Sequence, residues 1–229
     1  MLYELRTYTA APDRMRALQA RFRDHTLGLF ERHGIENVAY WTTMVGGPSD
    51  ELIYLLRYES MAARELAWRG FVADEEWRKV FRESTEAAGG SLTVSTEARF
   101  LTPTNFSPGD HGGDPGGEAA PRLFEWRSYT ASLDRMGELL RRFRDTTVAK
   151  FEEHGATNVG YWLNAVGGRN DELQYALAYR DMAHREQVWG AFGQDPEWLA
   201  VRADSNKDGN LVAHLSNSFL APTDYSPLR

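Results

Sequence analysis

The chain has 229 residues, 42% of them hydrophobic, a formal charge of −7 and no cysteine. That length suits one large domain or two small ones with real cores, while the acidic balance argues against nucleic acid or an anionic membrane surface as partner. The lack of cysteine excludes disulfides, thiolate catalysis and cysteine-held metals, and no stretch approaches the roughly 18 apolar residues of a membrane helix.

Residues 2–9 alternate, with Tyr3, Leu5 and Thr7 on one face and Glu4, Arg6 and Tyr8 on the other, which is strand periodicity. Glu4 and Arg6 also make this opening unlike a secretory signal, so a cytoplasmic location is expected. Pro12 suits the first turn of a helix, and Met15, Leu18, Phe22 and Leu29 follow as an apolar stripe that Gly34 can end. Asn37 to Thr43 reads as a second strand, Gly46-Gly47-Pro48 as a turn and Leu52 to Tyr58 as a third strand. Ser60 is a good N-cap for a helix through about Phe71, and Asp74 caps another. Gly89-Gly90 breaks the chain, and Leu92 to Leu101 is a last strand. The order βαββα(α)β is the ferredoxin-like pattern, an α+β fold whose antiparallel sheet carries helices on one face. The other face needs a cover.

A second copy supplies a candidate cover. Leu2-Tyr3-Glu4-Leu5-Arg6-Thr7-Tyr8 recurs as Leu123-Phe124-Glu125-Trp126-Arg127-Ser128-Tyr129, an offset of 121. Phe22-Arg23-Asp24, His33-Gly34, Tyr40-Trp41 and Glu76-Trp77 return as Phe143-Arg144-Asp145, His154-Gly155, Tyr161-Trp162 and Glu197-Trp198. Near the end the offset falls to 119, where Phe100-Leu101-Thr102-Pro103 matches Phe219-Leu220-Ala221-Pro222, so copy two lacks two residues around its last helix. The expected organisation is domain 1–108, a Gly-rich tether 109–121 containing His111, to which no role is assigned, and domain 122–229.

Tyr3-Glu4-Leu5-Arg6-Thr7-Tyr8, Asp74-Glu75-Glu76-Trp77 and Arg99-Phe100-Leu101-Thr102-Pro103-Thr104-Asn105-Phe106-Ser107-Pro108, with their second-copy repeats, resemble the NIPSNAP family. The resemblance covers the chain apart from the tether. It implies the dimeric α+β barrel superfamily, in which two ferredoxin-like sheets pair into an α+β barrel. Relatives there include cofactor-free monooxygenases, polyketide cyclases, lactone isomerases and haem enzymes resembling chlorite dismutase. NIPSNAP domains have no single established reaction, and fold alone does not deliver function.

If the helix-free faces enclose a cavity, Glu4, Arg6 and Tyr8, with Glu125, Arg127 and Tyr129, are expected to point into it. Arg would then hold a carboxylate or enolate, Glu act as base and Tyr as acid. Alternatively, Glu and Arg bond across the sheet as scaffold. Strand aromatics Tyr40, Trp41, Tyr54 and Tyr58 recur as Tyr161, Trp162, Tyr175 and Tyr179, serving as core or as walls for a flat ligand. Substrate contacts are assigned to Tyr40, Tyr54, Tyr161, Trp162 and Tyr175, with Asn164 and Gln174 added because they differ between copies. Trp68, Trp77, Trp189 and Trp198 read as helix packing. His33 and His154 read as helix-end cations. His184 and His214 occur only in copy two, and His214, on the last strand, is a candidate base or ligand. No metal-binding spacing, P-loop or nucleophile elbow occurs.

The expectation is a small-molecule-binding protein, leaning towards an enzyme that performs cofactor-free proton transfer, cyclisation or oxygenation on a planar or carbonyl-bearing substrate. The alternatives are a non-catalytic ligand-binding or protein-interaction module and, more weakly, a haem protein. No metal or cofactor is expected otherwise, and a homodimer is compatible with the pattern.

Overall fold

A computed structural model describes residues 1–112 and 122–229. Residues 113–121 of the expected tether lie outside the described residues. His111, at the tether's start, is buried in a turn, its Nδ1 3.1 Å from the Val159 carbonyl and its ring 6.4 Å from that of Trp162.

The fold class is α+β. Packing divides the chain into two units, one formed by Met1–Thr102 with Pro222–Arg229 and the other by Pro103–Ala221. The segment that closes each copy in sequence is thus grouped with the other unit. In unit 1, β1 (Leu2–Ala10), β2 (Glu36–Val45), β3 (Glu51–Tyr58) and β4 (Thr93–Pro103) pair antiparallel in the order β4-β1-β3-β2. The helical segments are α1 (Met15–Arg21), α2 (Leu27–Arg32), α3 (Met61–Ala73) and α4 (Glu75–Ala87), with a π-helical turn, Phe22–Thr26, between the first two. Unit 2 repeats this with β5 (Leu123–Ala131), α5 (Met136–Arg142), a π-helical turn (Phe143–Thr147), α6 (Val148–Glu153), β6 (Thr157–Val166), β7 (Glu172–Tyr179), α7 (Met182–Gln194), α8 (Pro196–Ser205) and β8 (Val212–Pro222). Its sheet order is β8-β5-β7-β6.

Local chemistry accounts for most of the boundaries. Ser60 Oγ accepts from the Ala63 amide at 3.1 Å, Asp74 caps α4, and Asp195 followed by Pro196 caps α8. Gly34 takes the left-handed φ of 73° that ends α2. Pro12 does not open a helix: Ala11-Pro12-Asp13-Arg14 forms a turn closed by the Arg14 amide on Ala11 O at 3.0 Å, with Asp13 at φ 62°, and α1 starts at Met15. Asp tolerates that backbone region better than most residues. α8 has 10 residues where α4 has 13, and it ends in the stretch where copy two lacks two residues.

The helices of each unit pack on one sheet face. In unit 1 Leu18, Phe22, Phe30 and Phe71 pack with Tyr40, Tyr54, Leu56 and Tyr58. In unit 2 Leu139, Phe143, Phe151 and Phe192 pack with Tyr161, Tyr175, Leu177 and Tyr179. Trp41 and Trp162 alternate to the opposite face and are wholly buried.

Candidate functional site

The polar residues of the first strand of each copy were expected on the helix-free face. They lie under the helices. In unit 2, β5 sets Arg127 opposite Tyr175 of β7 and Asn217 of β8. The guanidinium lies 4.3 Å from the centroid of Trp189 on α7 and donates from Nε to Tyr175 Oη at 2.8 Å, from Nη2 to Tyr129 Oη at 3.2 Å and from Nη1 to Glu125. Unit 1 builds the same cluster, with Arg6 against Trp68, Tyr54, Tyr8 and Glu4. The physical reason is partner supply: α7 delivers Arg185 and Trp189 to this face, so a buried charge pair is satisfied there.

Glu125 is 0% exposed and accepts five hydrogen bonds, from Arg127, twice from Arg185, from Tyr179 and from Asn217. Burial pushes its carboxyl upward, but the Arg185 hydrogen bonds and the charges of Arg127 and Arg185 outweigh this and hold it below the usual carboxylate value. Glu4 is held the same way by Arg64 and Arg6. Both glutamates are the counter-ions of two arginines each.

A cavity of about 560 Å³ opens beside this cluster in unit 2. Its walls are apolar and aromatic, from Phe143, Phe151, Trp189, Phe192 and Trp198. Its polar groups are Tyr129, Arg142, Thr147, Arg202, Asn206, Asn210 and His214. The size and lining are those of a small-molecule site. Of the residues singled out from sequence for catalysis or substrate contact, Tyr129 and His214 line this cavity.

The others are held elsewhere. Tyr40 stacks on Tyr54 with centroids 5.2 Å apart, and Tyr161 on Tyr175 at 5.4 Å, all four fully buried. Burial pushes all four phenols well above their ordinary value. Trp162 stacks on Trp126 at 5.4 Å on the opposite face, where Gln174 accepts from the Trp126 indole at 2.9 Å. Asn164 donates to Arg169 O at 2.6 Å and fixes the β6–β7 turn. Trp189 and Trp198, read from sequence as packing, also form cavity walls.

The NIPSNAP family profile matches residues 3–108 and 124–227. The chain belongs to the NIPSNAP family. It is 25% identical to NipSnap homolog 3B of Mus musculus over 242 aligned residues, covering 99% of this chain and 85% of that protein. It is 33% identical to NipSnap homolog 3A of Homo sapiens over 76 residues, covering 33% of this chain and 30% of that protein. Among solved structures, a Lactobacillus acidophilus protein provisionally named a monooxygenase aligns over 100% of this chain and 98% of its own, with TM-score 0.61 and 8% identity. An anthrone oxidase-like protein aligns over 97% of this chain and 91% of its own, with TM-score 0.52 and 14% identity. At such identities the likeness is one of fold.

Cofactor and metal fit can be tested on this NIPSNAP chain's own side chains. For a haem the cavity lining offers one histidine donor, His214, on an exposed stretch of β8. Among the described residues, Glu153, His154 and Asp195 could converge on a cation. The Lys150 ammonium already takes that position, 2.9 Å from Glu153, 3.2 Å from Asp195 and 2.7 Å from Glu197.

Sequence reading missed Arg142, Arg202, Asn206 and Asn210. Arg142 was detectable, because it falls three residues after Leu139 on the buried stripe of α5. Arg202 was detectable as the counterpart of Phe81 at the offset of 121. Asn206 and Asn210 lie in the stretch where the copies lose register.

Proposed function

We propose that this protein binds a planar or acyl, carbonyl-bearing small molecule in the unit 2 cavity and moves a proton on it without a cofactor. What carries the reading is the aromatic cavity with Tyr129 in its wall and the Arg127 guanidinium directly behind the phenol. Arg127 donates to the Tyr129 oxygen at 3.2 Å and fixes the phenol, so Tyr129 is suited to give its proton to a substrate oxygen as an enol forms. His214, at the rim, is suited to take the proton from carbon. Proton abstraction is the step that isomerisation, cyclisation and cofactor-free oxygenation share. The fold is also that of proteins provisionally named a monooxygenase and called anthrone oxidase-like.

The test is α-hydrogen exchange of 2-tetralone in D2O, followed by mass spectrometry. Exchange above the buffer rate is expected with the native protein, reduced about 100-fold in Tyr129→Phe and His214→Ala. A second reading, a non-catalytic carrier, is favoured by one observation, the complete engagement of Glu125. Saturable binding of the ketone without exchange would decide for the carrier.

A further inference from the structure

One buried cation bordering the cavity has no counter-ion among the described residues. Arg142 is 8% exposed. Its Nη1 faces only neutral oxygens, Ser205 Oγ at 3.2 Å and Asn206 Oδ1 at 3.5 Å, and its Nε has no hydrogen-bond partner. Its guanidinium lies 5.3 Å from the centroid of Trp198. Of the carboxylates that share a groove with it, Asp145 pairs with Arg144, Glu138 with Arg135 and Asp204 with Lys207, and the exposed Asp208 makes no ion pair with it among the described residues. A buried charge left this way calls for an anion.

The copies differ at the point where an anion would enter. In unit 1 the equivalent Arg21 is covered by Phe81, with the guanidinium 5.1 Å from the ring centroid. In unit 2 the matching residue is Arg202, an exposed cavity-lining side chain with no ion pair among the described residues. One exchange replaces an apolar cover with a second cation. Thr147, whose hydroxyl donates to Arg142 O at 3.1 Å across the π-helical turn, steadies the backbone that carries the anchor.

We infer that the unit 2 cavity takes an aromatic carboxylic acid, its carboxylate on Arg142 and Arg202 and its ring system against Trp189, Phe192 and Trp198. This deepens the proposed function and rests on that cavity being a ligand site. A planar guanidinium suits a carboxylate held by two parallel hydrogen bonds, and the aromatic walls suit a flat apolar body.

The test is calorimetric titration of the full chain with 2-naphthoate, its neutral analogue 2-naphthamide and inorganic phosphate. The native protein is expected to bind naphthoate at least about 10-fold tighter than naphthamide, as a charge-assisted hydrogen bond gives. Arg142→Met should abolish that preference. Arg202→Phe, which installs the unit 1 residue at an exposed position and leaves the core intact, should reduce it severalfold, and it serves as the test if Arg142→Met fails to fold. Equal binding of naphthoate and naphthamide overturns the inference while the ligand site stands. Phosphate binding without naphthoate binding overturns the carboxylate class. Failure of all three probes to bind overturns both readings.

Discussion

Glu125 is sealed from solvent, and every one of its hydrogen bonds comes from a side chain of its own unit. Removing it strands the Arg127 charge and leaves Arg185 only its outer partner Glu186, so Glu125→Ala should lower unfolding stability by about 3–5 kcal/mol in a denaturant titration. Tyr129→Phe removes one hydroxyl whose recorded donor, Arg127, keeps its other partners, and should cost only about 1 kcal/mol. The contrast separates scaffold from chemistry within one strand: the glutamate variant unfolds early, while the tyrosine variant folds and loses proton exchange. That the first strands carry a Glu-Arg-Tyr set was legible from alternation. Which face the set occupies was not, because alternation defines two faces without saying which one helices will cover. The deciding partner, Arg185, lies 60 residues downstream of Glu125.

At the scale of the element, both copies join their helix ends by the same device with different residues. His33 and His154 meet Asp74 and Asp195 at 2.7 and 2.9 Å. In unit 1 Arg32 bridges to Asp74 and Glu76, whereas in unit 2 Lys150, standing where copy one has Leu29, bridges to Asp195 and Glu197. The amide of Trp198 lowers the Asp195 carboxyl from 3.8 to about 2, with His154 and Lys150 adding to it against the opposing effect of burial. A folded-state value below the unfolded one means that this carboxylate stabilises the protein above pH 3.8 and loses that contribution as pH falls towards about 2. Asp195→Asn should therefore flatten the decline of the urea midpoint across that window, measured from pH 5 to 2. The caps were readable because their chemistry is local. The start of α1 was not, since Pro12 fits a helix's first turn and a tight turn equally well. The site on α5 and α8 was only partly readable: the Phe81-to-Arg202 exchange is written in the repeat, but the burial of Arg142 depends on packing against Trp198.

At the scale of the whole molecule, the last residues of copy two belong to unit 1. Tyr225 packs on Tyr40 at 5.5 Å, Ser226 Oγ accepts from the Tyr40 amide at 2.9 Å, the Thr223 amide donates to Tyr40 O at 2.9 Å, and Arg23 pairs with Asp224 at 2.7 Å. Phe106, Ser107 and Thr104 do the same for Tyr161 in unit 2. Deleting Pro222–Arg229 should cost about 3 kcal/mol or more by the loss of half-buried Tyr225, buried Leu228 and the hydrogen bonds of Thr223 and Ser226, seen as a lower thermal midpoint. The repeat itself was plain in the sequence; this grouping was not, because two nearly identical tails offer no sequence signal for which copy each one packs on. The cavity follows the differences between copies more than their likeness, since it gathers Arg202, Asn206, Asn210 and His214 from unit 2 positions that have diverged. The most direct measurement is a crystal structure with 2-naphthoate. The expected result is one naphthoate in the unit 2 cavity, its carboxylate on Arg142 and its rings beside Trp189 and Trp198; a ligand bound anywhere else, or an empty cavity at saturating naphthoate, would contradict it.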